Sequence, residues 1–134
     1  MPATVLYIED NADNLLLVRR ALEARGYRVL EAGDGLSGLA VVAQEHPDAV
    51  LLDINLPDVD GYEVARRLKS NPASRAIPVV AITAKALPGD AERALAAGCD
   101  LYMSKPIAVR ALWAALERLL STQPQTQAER FEAD

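Results

Sequence analysis

Short apolar runs recur along the chain, and a polar residue closes each of the most apolar ones. Val5–Ile8, Ala49–Leu52, Val79–Ile82 and Leu101–Met103 are closed by Asp10, Asp53, Thr83 and Lys105. Each run is short and is followed by turn or helix-start residues, which predicts buried strands. The segments between them have helical spacing. Asn11 or Asp13 caps a helix to about Arg25, with Leu15, Val18 and Leu22 on one face, and Gly26 ends it. Tyr27–Glu31 reads as a second strand, and its charges at Arg28 and Glu31 suit a sheet margin. Asp34 starts a helix with Leu36, Leu39, Ala40 and Ala43 inward, stopped by Pro47. Ala49–Ile54 is the most apolar strand and is expected at the centre.

After the loop from Asn55 to Gly61 comes a helix, Tyr62–Ser70, broken by Asn71–Pro72. Strand Val79–Thr83 follows Pro78. Pro88–Gly89–Asp90 opens an Ala-rich helix that ends at Gly98. Strand Asp100–Ser104 leads through Lys105–Pro106 to a last helix, which reaches about Leu120 and buries Val109, Leu112, Leu116 and Leu119. Five alternations of strand and helix predict an α/β fold, a parallel sheet doubly wound by right-handed crossovers. The strand order 2-1-3-4-5 puts the chain reversal between the first and third strands, where such sheets bind ligands. Glu9, Asp10 and Asp53 would then face one another across that crevice.

At 134 residues the chain suits one domain, expected over residues 1–121. Residues 122–134 are polar and read as a disordered tail or the stub of a linker. No run approaches the roughly 20 apolar residues of a membrane helix. The opening Met1–Pro2–Ala3–Thr4 lacks the pattern of a signal peptide, so a cytoplasmic location is expected. Cys99 is alone, which excludes a disulfide framework and favours a buried apolar role. With a net charge of −5 and scattered basic residues, direct nucleic-acid binding is not expected.

Three carboxylates aimed at one point repel, and a divalent cation relieves that repulsion. An all-oxygen set with room for water suits Mg²⁺, and Mn²⁺ can substitute. Taken alone, Glu9 and Asp10 read equally well as solvated acids at a helix start. Asp53 closes the most apolar strand, where a carboxylate needs compensation for lost hydration; it suits a metal ligand or a nucleophile toward phosphorus. Lys105 as an ammonium and Thr83 as a hydroxyl donor suit phosphoryl oxygens. Alone, each also reads as an ordinary strand-end residue.

Four pieces carry a resemblance: Tyr-Ile-Glu-Asp-Asn (7–11), Leu-Leu-Asp-Ile-Asn-Leu-Pro-Asp-Val-Asp-Gly-Tyr-Glu (51–63), Ile-Pro-Val-Val-Ala-Ile-Thr-Ala (77–84) and Gly-Cys-Asp-Leu-Tyr-Met-Ser-Lys-Pro-Ile (98–107). In this order and spacing they resemble the receiver domain of two-component response regulators, from Val5 to about Leu120. The resemblance implies a flavodoxin-like (βα)5 fold and a phosphorylation-dependent signalling switch rather than an enzyme. Asp53 would accept a phosphoryl group from a phosphohistidine on a histidine kinase or phosphotransfer protein. Asp10 and Asp53 would bind Mg²⁺ with the Asn55 backbone carbonyl, and Glu9 would stand nearby or act through water. Thr83 and Lys105 would contact the phosphoryl group, and Tyr102 would be the switch aromatic. Lys105–Pro106 matches a bond typically cis in this family. On phosphorylation Thr83 would move in and Tyr102 would rotate inward. The fourth helix, last strand and last helix would then present a changed surface to a downstream protein target, with a phosphorylation-linked homodimer as one outcome.

Rival readings need separate tests. Gly33–Asp34–Gly35–Leu36–Ser37–Gly38 fits a dinucleotide fingerprint after a strand, although that strand is charged and expected at the margin. A Mg²⁺-dependent phosphatase with an aspartate nucleophile shares the same residues and differs in turnover. A stand-alone regulator and a receiver excised from a hybrid histidine kinase share the same motifs. His46, in a helix ending, reads as structural or solvated. Trp113 reads as core packing or as a surface shared with the fourth helix.

Overall fold

A computed structural model describes residues 2–84 and 87–121. Its elements are β1 (Thr4–Ile8), α1 (Ala12–Glu23), β2 (Arg28–Ala32), α2 (Gly35–Glu45), β3 (Ala49–Asp53), α3 (Gly61–Ser70), β4 (Val79–Thr83), α4 (Asp90–Ala96), β5 (Leu101–Ser104) and α5 (Val109–Ser121). The five strands form one parallel sheet in the order β2-β1-β3-β4-β5. This is the doubly wound, flavodoxin-like (βα)5 arrangement expected from the alternation. Helices cover both faces, so the inner strands have no wet side, and every residue of β3 and β4 is buried. The tail at 122–134 lies outside the described residues.

Period-two alternation divides the core between the two faces of the sheet. Leu6, Ile8, Val50, Leu52, Val79 and Ala81 pack on one side with Val64, Ala65 and Leu68 of α3 and Ala94 of α4. Val5, Tyr7, Leu51, Val80 and Ile82 pack on the other with Val18 and Leu22 of α1 and Leu112 and Leu116 of α5. Trp113 belongs to this second side. Its indole N–H donates to the Ala21 carbonyl of α1 at 2.8 Å, and the Arg25 guanidinium lies 4.3 Å from the ring centre. It therefore joins α5 to α1.

The inner face of α2 differs from the expected one. Gly35, Gly38 and Val42 point to the core, and Leu39 is partly buried, whereas Leu36, Ala40 and Ala43 are exposed. The cause is close approach: a Cβ on Gly38 would collide with the Ile8 side chain. A glycine here lets α2 lie down on β1, and a reading that seeks large apolar residues passes over it. Other differences are small. The second strand starts and ends one residue later than expected, and in α5 Val109 and Leu119 are half-buried beside the fully buried Leu112 and Leu116.

Candidate functional site

The carboxyl ends of β1 and β3 lie side by side where the strand order reverses, and each delivers acid to that edge. Glu9 is 1 % exposed and Asp53 3 % exposed, while Asp10 faces solvent at the start of the next turn. One carboxylate oxygen from each of the three lies within 4.8 Å of the others. Asn11 accepts the backbone N–H of Asn14 and so caps α1 immediately after the acids. Cβ-free Gly61 brings the start of α3 against the β3 end; a methyl there would meet the Ile54 Cα at 2.5 Å and the Asp53 carbonyl oxygen at 2.7 Å.

Lys105 follows β5 and reaches back over the sheet edge. Its ammonium donates to Glu9 Oε1 at 2.7 Å and stands 3.5 Å from Asp53 Oδ2. The Lys105–Pro106 peptide is cis. The Asn55 N–H donates to Asp53 Oδ1 at 3.0 Å. Glu9 is the most tightly held of the acids. Tyr7 O–H donates to its Oε1 at 2.8 Å and the Asn11 N–H to its Oε2 at 3.1 Å.

Electrostatics separate the two buried acids. Burial opposes ionisation of Glu9, but the hydrogen bonds from Lys105, Tyr7 and Asn11 and the Lys105 charge outweigh it and hold Glu9 below the usual carboxylate range. Asp53 is pushed up to about 6, first by burial and then by the nearby Glu9 charge, against the opposing Asn55 N–H and Lys105. Burial would lower Lys105, yet its hydrogen bond to Glu9 and the two carboxylate charges raise it. Burial, followed by the Glu9 charge, keeps the Tyr7 phenol protonated.

Three carboxylates against one ammonium carry a formal charge of −2, which one divalent cation balances. All the donors are oxygens, and one acid is open to solvent. The residues present therefore fit Mg²⁺.

Thr83 ends β4, is buried, and lines a recess of about 200 Å³ with Asn55, Tyr62, Leu87 and Asp90. Tyr102 lies one strand further out, with its ring against the core and its hydroxyl shielded from solvent without a hydrogen-bond partner among the described residues. The structure thus brings Glu9, Asp10, Asp53 and Lys105 together and sets Asn55 and Thr83 along the same edge, while Tyr102 lies two residues back from that edge, in register with Ala81. Two groups were not anticipated. Tyr7 stands beneath the acids, and its signal is a tyrosine two residues before Glu9, on the same strand face. Tyr62 forms a small cluster of its own: its hydroxyl is 3.5 Å from Asp90, and Arg93 lies 4.6 Å from its ring centre. Cys99 is buried and its thiol is pushed up to about 11 by burial, which makes it inert as a thiolate.

A cluster of three carboxylates with an ammonium beside it, at the switch point of a 2-1-3-4-5 sheet, is the site arrangement of a signalling receiver. The chain belongs to the response regulator receiver domain family, whose model matches residues 5–117. It is 45 % identical over 109 residues to the polar-differentiation response regulator DivK of Brucella anthropi, covering 81 % of this chain and 89 % of that protein. Its fold matches a putative response regulator from Chloroflexus aurantiacus at TM-score 0.87 and 26 % identity, over 90 % of this chain and 99 % of that one. It also matches the receiver domain of the sensor histidine kinase PA1611 from Pseudomonas aeruginosa at TM-score 0.84 and 34 % identity, over 91 % and 100 %. In that structure a magnesium ion is coordinated in the active-site cleft.

The chain is therefore a phosphoaspartate signalling switch, served by a histidine kinase or phosphotransfer partner. It is a phosphoacceptor with self-catalysed gain and loss of the phosphoryl group, not an enzyme turning over a separate substrate. No helix among the described residues is long and apolar enough to cross a membrane.

Proposed function

We propose that Asp53 is the phosphoacceptor of a stand-alone, single-domain response regulator spanning residues 1–121. One observation carries this reading: Asp53 is the buried carboxylate that ends the central strand, in the acidic cluster beside Lys105, and it is held by two donors among the described residues where Glu9 is held by three. An Asp53 oxygen attacks phosphorus, a P–O bond forms, and the P–N bond to the donor imidazole breaks with its electron pair and a proton going to the ring. In a separate step that removes the group, water attacks phosphorus, the P–O bond to the carboxylate breaks with its electron pair staying on Asp53, and inorganic phosphate is released. Such chemistry needs placement and charge neutralisation more than covalent help.

Asp10 and Asp53 would hold Mg²⁺ with the Asn55 carbonyl, and Glu9 would act beside it; Mn²⁺ substitutes. The cation supplies charge neutralisation at the phosphoryl oxygens. Lys105 would supply more, and Thr83 would donate a hydrogen bond as it closes toward the phosphoryl group. That movement shifts the balance at Tyr102, whose hydroxyl has no partner among the described residues, and alters the surface of α4, β5 and α5. A downstream protein in the cytoplasm reads that surface, with homodimerisation as a second form of output. The 45 % identity to a stand-alone-length response regulator supports the single-domain reading; the likeness to a receiver of a sensor histidine kinase favours the hybrid-kinase alternative.

The test is intact mass after incubation with Mg²⁺ and acetyl phosphate, for the protein and for Asp53→Ala. One added phosphoryl group, absent from the variant, is expected. Equal labelling of the variant would overturn the acceptor, and sustained turnover of phosphoesters would replace the switch with a phosphatase.

A further inference from the structure

Nothing in the transfer chemistry uses Tyr7, yet its hydroxyl reaches the centre of the site. The ring is fully buried on the α1–α5 side of the sheet, where a phenylalanine would fill the same space. The hydroxyl is the part that needs a reason, and its partner is Glu9 Oε1.

The donors on Glu9 can be counted. Oε1 takes Tyr7 O–H at 2.8 Å and Lys105 at 2.7 Å; Oε2 takes the Asn11 N–H at 3.1 Å. Lys105 is also 3.5 Å from Asp53 Oδ2. A phosphoryl group on Asp53 adds charge and acceptor oxygens there, and these draw the ammonium across. Glu9, 1 % exposed, then loses its ammonium partner. A buried carboxylate left without donors is strongly penalised. With Tyr7 in place each Glu9 oxygen keeps one donor after Lys105 has gone. Without it Oε1 is bare, and Glu9 pulls Lys105 back.

We propose that Tyr7 is a positioning residue for phosphoryl transfer: its hydroxyl keeps Glu9 satisfied, and this releases Lys105 from Glu9 to the phosphoryl group on Asp53. The role rests on the reading of Asp53 as acceptor, and Tyr7 acts only through Glu9.

The experiment compares Tyr7→Phe, Glu9→Gln and the double variant with the native protein, using acetyl phosphate at saturating Mg²⁺. Tyr7→Phe is expected to slow the maximal phosphorylation rate about tenfold with little change in donor KM. In the Glu9→Gln background, where no carboxylate retains Lys105, the same change is expected to alter the rate less than twofold. A second readout is the rise in melting temperature with beryllofluoride and Mg²⁺, which caps a carboxylate as a phosphoryl group would. That rise is expected to shrink in Tyr7→Phe, while the rise with Mg²⁺ alone stays. Should Tyr7→Phe fold poorly, the comparison within Glu9→Gln still decides: there, an equally large defect means the hydroxyl serves packing, and the proposal falls. An unchanged rate in Tyr7→Phe overturns it as well. No label on the native protein would instead overturn Asp53 as acceptor, and Tyr7's role with it.

Discussion

Asp58 joins the N-cap Asp34 at the start of α2: its carboxylate oxygens accept the Gly35 N–H at 2.8 Å and the Leu36 N–H at 3.0 Å, while Asp34 accepts the Ser37 N–H at 2.7 Å. A loop residue after β3 thus fills the helix N-terminus where a bound phosphate would otherwise sit. The glycine run from Gly33 to Gly38 therefore does not make a dinucleotide site. Gly38 lets the helix meet Ile8, and Asp58 occupies the free N–H groups. Asp58→Ala is expected to lower the melting temperature by roughly a few degrees. Calorimetric titration of the native protein with NAD should show no binding, and binding would reinstate the nucleotide reading.

Asp53 predicts a pH dependence. Its folded-state pKa, about 6, lies above the ordinary 3.8. Between these values the folded protein binds more protons than the unfolded chain, so the Asp53 contribution to stability falls as pH rises from about 4 to about 6. Above 6 the ionised carboxylate is a full cost, and below 3.8 it is none. In EDTA, Asp53→Asn should therefore melt higher than the native protein at pH 7.5, and the gap should close toward pH 4. Glu9 works the other way, since its lowered pKa gives stability that is lost only as the carboxyl protonates in acid. Mg²⁺ should raise the native melting temperature at pH 7.5, and much less at pH 5. A gap between native and Asp53→Asn that is flat with pH would contradict the assigned environment.

Tyr102 buries a hydroxyl with no partner among the described residues. Such a group costs about 1–3 kcal/mol when enclosed. Tyr102→Phe is expected to stabilise the unphosphorylated protein by about 1 kcal/mol, read from urea unfolding with an unchanged m-value. A loss of stability would mean that the hydroxyl has a partner after all.

Gly61 joins the packing of α3 to the Asp53 end of β3. A methyl at this position would strike the Ile54 Cα and the Asp53 carbonyl, which are backbone atoms and do not yield as a side-chain end does. Gly61→Ala is expected to cost about 1–3 kcal/mol. It should also slow phosphorylation of Asp53, measured by intact mass against time. Lost stability with a normal labelling rate would separate the turn from the site.

What could be seen in advance follows from what kind of signal each residue leaves. Runs such as Val79–Ile82 mark buried strands because a parallel sheet covered on both faces needs apolar residues at every position. Glu9, Asp10, Asp53 and Lys105 stood out because polar groups at the ends of such runs are conspicuous. The inner face of α2 did not, because Gly38 contributes through the side chain it lacks. The tie between Tyr7 and Glu9 was equally silent: an aromatic residue inside an apolar strand looks like packing until its hydroxyl is placed. Asp58 was hidden for another reason, since its partners lie 22 and 23 residues earlier in the chain.

The bond from Trp113 to Ala21 also decides what light can report. The chain has one tryptophan, and its indole is fixed to the seam between the first and last helices, stacked with Arg25. Its emission is therefore a gauge of whether that seam stays closed. A ligand arriving at Asp53, across the sheet edge, becomes visible in this fluorophore only to the extent that the terminal helices shift against each other.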